Sequence, residues 1–255
     1  KFALESAYLD LQMGGQKILF DNFFSKKQRS IPINGLVWMD ELEPMINAAF
    51  EKVEQGFSVI KFKIGAHDFD AECRMLEQIR KRYNAFKLEI RLDANGAFDA
   101  ADVKSQLKDL SRFEVHSIEQ PIKAGQLELL QEICNKPSID IALDEELIGI
   151  PVSEAPILLK TIKPQYIILK PSLIGGLENS RAWINAAENN HIAWWMTSAL
   201  ESSIGLNIIA QFTAEFPYNT LCHGLGTGNL YTNNFPSLLN LKVDQLWFEG
   251  ENLNS

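Results

Sequence analysis

KLEIRLDANG, residues 87–96, is the stretch on which the fold turns. Leu88, Ile90 and Leu92 alternate with Lys87, Glu89 and Arg91, the period-two pattern of a strand. The strand runs into Asp93-Ala94-Asn95-Gly96, a run of good turn formers, so Asp93 reads as a turn residue or as a ligand. The rest of the chain separates the two.

Short apolar segments of the same kind recur: INGLVWM, FSVIKFKI, VHSIEQ, IDIALD, YIILK, IAWWMT and, less clearly, NTLCHG. With LEIRLD they make eight. Between them, stretches such as DFDAECRMLEQIRKRY and SRAWINAAENNH carry apolar residues at helical spacing. Strand alternating with helix implies parallel strands with crossover connections. Eight such units suit an α/β fold of the (β/α)8 type, a modified TIM barrel. A doubly wound open sheet is the alternative, but no GxGxxG follows the first strand and no GxxxxGK[ST] occurs.

At 255 residues and 46% hydrophobic content, the chain can bury a barrel-sized core. A net charge of -9 argues against a nucleic-acid partner, which needs clustered Lys and Arg, and favours a small molecule. Cys73, Cys134 and Cys222 are widely spaced and odd in number, as expected of reduced thiols in a cytoplasmic protein. No apolar run approaches a membrane span, and KFALESAYLDLQ at the start reads as an amphipathic helix rather than a signal peptide. Neither membrane nor nucleic acid is an expected partner, and oligomeric state is not legible.

In such a barrel, catalytic groups sit at the C-terminal ends of strands. The second strand ends in Lys61-Phe62-Lys63, and the next four in Asp93, Glu119, Asp144 and Lys170, at successive spacings of 26, 25 and 26 residues. Those spacings predict equivalent positions on successive strands. One Asp at a strand end is more often a cap or turn former. Three carboxylates converging on one mouth would instead repel strongly, and a divalent cation is the natural compensation, magnesium first and manganese next. Lys61 and Lys63, two apart on an apolar strand, point to one side while Phe62 faces the helices. Two inward ammonium groups are expected to depress each other's pKa, so that one can act as a base.

The motifs KFK, DAN, IEQP, LDE and ILKP, in this order and spacing, resemble the enolase superfamily in its muconate-lactonizing subgroup. The resemblance spans roughly residues 1 to 250. It implies that Asp93, Glu119 and Asp144 hold Mg2+ and that Lys63 removes a proton alpha to a carboxylate. It places Lys170 on the opposite face of the substrate and Lys61 beside the substrate carboxylate, with Asn95 and Gln120 orienting the ligands. In the mandelate-racemase subgroup a His ends strand seven, whereas here HIAWWMTSALES has its His at the wrong end.

TSALESSIGLN and HGLGTGNLYTNNF resemble the branch of that subgroup whose members dehydrate 2-succinyl-6-hydroxy-2,4-cyclohexadiene-1-carboxylate. The substrate-binding residues implied are Ser198, Glu201, Ser202, Gly224, Leu225 and Gly226. An uncharged, glycine-rich strand end offers N–H groups to an anion and nothing to the ammonium group of a dipeptide. Read without the resemblance, Ser198 and Glu201 form a capping box and GLGTG is a loop. The rival activities are N-acylamino-acid racemase or dipeptide epimerase; a non-catalytic barrel that binds a carboxylate or a metal is a third reading, against which the three lysines weigh. The resemblance also implies a capping domain. Residues 1–29 would be its last helix and linker, its earlier part being absent from this sequence, 30–235 the catalytic barrel, and 236–255 a segment returning towards it.

Overall fold

The structure is a computed structural model, and it describes residues 1–228 and 230–250. In chain order the elements are α1 (Phe2–Gln12), β1 (Ile31–Pro32), β2 (Gly35–Val37), α2 (Leu42–Glu54), β3 (Val59–Lys63), α3 (Phe69–Arg82), β4 (Glu89–Asp93), α4 (Val103–Leu110) and β5 (Ser117–Glu119). They continue with α5 (Leu127–Asn135), β6 (Asp140–Leu143), α6 (Ala155–Ile162), β7 (Tyr166–Leu169), α7 (Gly176–Asn189), β8 (Ala193–Met196), α8 (Ser203–Thr213), β9 (Leu239–Lys242) and β10 (Gln245–Phe248).

Two compact units divide the chain. One contains residues 35–168 and 183–194; the other contains 1–34, 169–182 and the chain from 195 onward. The first carries most of a seven-stranded sheet in the order β2-β3-β4-β5-β6-β7-β8, parallel at every pair from β2 to β7. Apolar strand residues such as Ile60, Phe62, Ile90, Ile118 and Ile141 are fully buried, as are Leu76 and Ile79 of α3 and Leu159 and Ile162 of α6. Helices α3 and α6 thus each bury one apolar stripe. Asp68 starts α3 by accepting a bond from the Ala71 N–H at 3.1 Å, satisfying one of the helix's open donors.

In the second unit, β1, β10 and β9 form an antiparallel sheet of three. The expected eighth strand, NTLCHG, is reduced to two isolated parallel bridges, Ile33 with His223 and Thr197 with Gly224. A turn closed by the Asn219 N–H on the Phe216 carbonyl at 3.0 Å precedes those bridges. The helix expected at the start forms as α1, but it buries only Ser6 and leaves Leu4 and Leu11 in water. Its Glu5 carboxylate accepts from the N–H groups of Leu177 and Glu178 at 2.6 and 2.9 Å, capping α7 where the helix dipole favours an anion. Of the expected segment 236–255, residues 251–255 lie outside the described residues. Among the described residues no helix is long and apolar enough to cross a membrane, and all three cysteines are free thiols.

Candidate active site

The register of β3, β4 and β5 builds the site. Lys61 pairs with Arg91, Lys63 with Asp93, and Asp93 with Glu119, so the last residues of three adjacent strands stand side by side. Asp93 and Glu119 are buried, and so is Lys61, as the alternation predicts. Lys61 Nζ lies 2.6 Å from Glu119 Oε2 and 2.8 Å from Asp93 Oδ2, while Lys63 Nζ lies 2.6 Å from the same Asp93 oxygen. Asn95 Oδ1 accepts a second bond from Lys63 at 2.7 Å. Two ammonium groups therefore converge on one carboxylate oxygen, Lys61 from a buried position and Lys63 from a partly exposed one.

The electrostatics correct one expectation. Burial works to lower the Lys61 pKa, but the Glu119 and Asp93 carboxylates outweigh it and raise the pKa above the usual lysine range. Burial likewise opposes ionisation of Asp93, and Lys61 and Lys63 overcome it, holding that carboxyl well below the ordinary value. Each lysine was expected to lower the other's pKa; for Lys61 the nearer carboxylates dominate.

Asp144 corrects a second one. Glu119 pairs with Ala142, not with Asp144, which lies two residues further along. Two residues of strand are about 6.6 Å, so Asp144 keeps the inward parity of Glu119 but not its level. Equal sequence spacing does not mean equal height, because closing parallel strands into a barrel staggers them. Among the described residues no three His, Cys, Asp or Glu side chains are gathered into a metal cluster; Asp93 and Glu119 are turned onto Lys61 and Lys63 instead. The donor chemistry nonetheless fits a hard divalent cation: Asp93 and Glu119 already share a single cationic centre, Lys61, within 2.8 Å.

Gln120 is fully buried and sits in the left-handed region at φ 39°. Its Oε1 accepts from the N–H groups of Asp144 and Glu146 at 3.2 and 3.3 Å, so it ties the residue after Glu119 to Asp144. Asn95 links Lys63 to Glu145, whose Oε1 accepts from Asn95 Nδ2 at 2.9 Å. Glu145 and Glu146 escaped the sequence reading, although the doubled glutamate directly after Asp144 was a visible signal. Behind Lys63, the buried Glu72 accepts the Gly65 N–H at 2.7 Å and holds the loop. Gly65, at φ 90°, has no room for a side chain, since an added Cβ would sit 2.5 Å from that of Ala97.

Lys170, Ser198, Glu201, Ser202 and Gly224–Gly226 belong to the other compact unit. There the capping box is not made: α8 starts at Ser203, with Ser202 before it. Ser198 Oγ instead donates to Glu201 Oε2 at 2.8 Å, the Ala199 N–H donates to the same oxygen, and Ser172 donates to Glu201 Oε1. Gly224 does not offer its N–H to an anion, because that group pairs with the Met196 carbonyl at 2.8 Å. A Cβ there would lie 2.7 Å from Thr197 Oγ1, so close strand approach explains this glycine. Leu225 is fully buried. Lys170 is half-buried at the end of β7, and its carbonyl starts the following turn by accepting from Leu173 and Ile174.

A model of the enolase C-terminal domain-like family matches residues 45–236. The chain belongs to that family. A relative from Desulfotalea psychrophila, an o-succinylbenzoate synthase, is 49% identical over 244 residues, covering 96% of this chain and 66% of that protein. A hydrophobic dipeptide epimerase from Enterococcus faecalis is 28% identical over 177 residues, 69% of this chain and 49% of that one. The crystal structure of MenC from Desulfotalea psychrophila superposes with a TM-score of 0.91 at 47% identity, over 96% of this chain and 68% of that structure. This family member therefore spans just under two thirds of the synthase's length. Its α/β fold is that of the enolase-superfamily barrels, whose enzymes depend on a metal.

Proposed function

We propose that this chain carries the catalytic machinery of an o-succinylbenzoate synthase, catalysing syn dehydration of 2-succinyl-6-hydroxy-2,4-cyclohexadiene-1-carboxylate to o-succinylbenzoate for menaquinone biosynthesis. The observation that carries this is the pair of lysines meeting on Asp93 Oδ2 beside Glu119, a cation-and-carboxylate cluster at the ends of adjacent parallel strands. The 49% identity to the Desulfotalea synthase, against 28% to the Enterococcus epimerase, supports the choice among family chemistries. Mg2+, or Mn2+ in its place, is the cation proposed, with Asp93, Glu119 and Asp144 as its ligands.

The hard step is removal of a carbon-bound proton beside a carboxylate that is already negative. When bound, the divalent cation supplies Lewis-acid stabilisation of the charge that builds on that carboxylate. Lys63 takes the proton and returns it to the departing hydroxide on the same face. For that, Lys63 must be neutral when it acts, and Asn95 keeps its Nζ oriented through the 2.7 Å bond. Lys61, held charged by Glu119 and Asp93, serves the carboxylate. Lys170 is assigned a charged role against the intermediate on the strength of the ILKP motif. Formation of an aromatic ring drives the second step.

The test is direct. Incubated with Mg2+ and the cyclohexadiene substrate, the protein should form o-succinylbenzoate, followed by its ultraviolet absorbance. A parallel panel of N-acyl amino acids and dipeptides is followed by polarimetry. Epimerisation without dehydration would reassign the chain to the racemase and epimerase branch, and silence towards both would sink the enzymatic reading.

A further inference from the structure

The turn after β6 holds a buried carboxylate that the reaction above does not use. Glu146 is only 5% exposed. Its two oxygens accept the Gly125 N–H at 3.1 and 3.2 Å, and Oε2 accepts Gln120 Nε2 at 3.3 Å. Burying a carboxylate is costly unless it is well paired, so its position calls for a function.

Gln120 gives it one. This residue follows Glu119 directly, in a left-handed conformation that an L side chain tolerates only when its surroundings enforce it. Its carbonyl accepts the Gly96 N–H at 2.7 Å, its Nε2 donates to the Ile122 carbonyl at 3.0 Å, and its Oε1 receives the Asp144 and Glu146 N–H groups. Were the amide to turn over, its NH2 would face those two N–H donors. The Glu146 carboxylate, together with the Ile122 carbonyl, holds the amide the right way round.

We infer that Glu146 is a positioning residue: acting through Gln120, it sets the placement of Glu119 relative to Asp144 and thereby the affinity of the site for its divalent cation. The inference rests on the metal-dependent reading given above. Loss of partners that orient metal ligands typically costs 10–100-fold in affinity, so the effect is measurable.

Two variants separate position from charge. Glu146→Gln keeps an oxygen within reach of Gly125 and Gln120 but loses the charge; Glu146→Asp keeps the charge and loses the reach. Mg2+ affinity is read by titration calorimetry, and amide hydrogen exchange is read on the metal-free protein. The expected result is Mg2+ binding about tenfold weaker in Glu146→Asp and within about threefold of the parent in Glu146→Gln. Faster exchange at Gly125 and Asp144 should appear only in Glu146→Asp. The reverse order, equal loss in both variants, or parental affinity in Glu146→Asp would overturn the inference. If the parent protein itself binds no Mg2+, the functional reading fails, and the metal-free exchange pattern still decides whether Glu146 governs the contact between Gln120 and Asp144: unchanged exchange in Glu146→Asp overturns it.

Discussion

Strand β4 carries a buried ionic cluster at each end, and the two are built differently. At its C-terminal end Asp93 is surrounded by Lys61 and Lys63, with Glu119 alongside. Two residues earlier Arg91, 2% exposed, donates from Nε to Glu89 Oε1 at 2.8 Å. Around that pair, His116 Nδ1 lies 2.9 Å from Ser117 Oγ, and the Tyr166 hydroxyl lies 3.3 Å from His116 Nε2. The upper cluster crowds cations onto one oxygen on flexible stems, an arrangement that can reorganise around a ligand. The lower one pairs a rigid, planar guanidinium with Glu89, which His116 Nδ1 also approaches at 3.9 Å, and has less such freedom. In barrels of this kind chemistry belongs to the C-terminal face and stability to the other.

Breaking each end should therefore give opposite phenotypes. Lys63→Ala should abolish dehydration, a fall of about 10³-fold or more if one residue performs both proton transfers, while the melting temperature moves little. Retained activity in a steady-state assay would remove Lys63 from the role of base. Arg91→Ala should do the reverse, costing about 2–3 kcal/mol in a urea titration but leaving kcat/KM of the folded protein close to parental. That cost lies below the ~3–5 kcal/mol of a fully buried pair because Glu89 keeps some contact with water. A large kcat loss without destabilisation would mean that the lower cluster reaches the chemistry.

A smaller effect distinguishes the two lysine-bearing motifs. Lys170→Arg keeps a cation but is a poor base, so it should retain roughly a tenth of the dehydration rate if only charge is needed. Complete loss would assign proton transfer to Lys170.

The smallest effect is the acid profile of stability, which should show the two ends separately. Burial lowers the His116 pKa from the ordinary 6.5, opposed by Glu89, so the unfolded chain takes up this proton first. Its contribution is present above about pH 6.5 and is lost as the pH falls below that value. The Asp93 pKa is lowered too, so its contribution persists to lower pH and is lost only below the ordinary carboxyl value of 3.8. Urea midpoints measured from pH 8 to 3 should fall in two stages, and His116→Gln should remove the first alone. A single stage in that variant and in the parent alike would break the comparison.

Strand alternation was enough to name Lys61, Lys63, Asp93 and Glu119, because a period of two determines which side of a sheet each residue takes without knowledge of its neighbours. The strand-and-helix repeat was legible for the same reason. What lay beyond local pattern was level and partnership. The two-residue offset of Asp144 depends on how β6 slides against β5, which loop lengths and strand stagger decide. The start of α8 at Ser203 rather than after Ser198 was settled by side-chain bonds to Glu201, and the Gly224 N–H was taken by Met196. Glu145 and Glu146 acquired their roles only when Asn95 and Gln120, distant in sequence, were brought to them. Sequence determined which chemical groups face the centre; hydrogen bonds between strands, which no single segment encodes, decided how high each one stands and what holds it there.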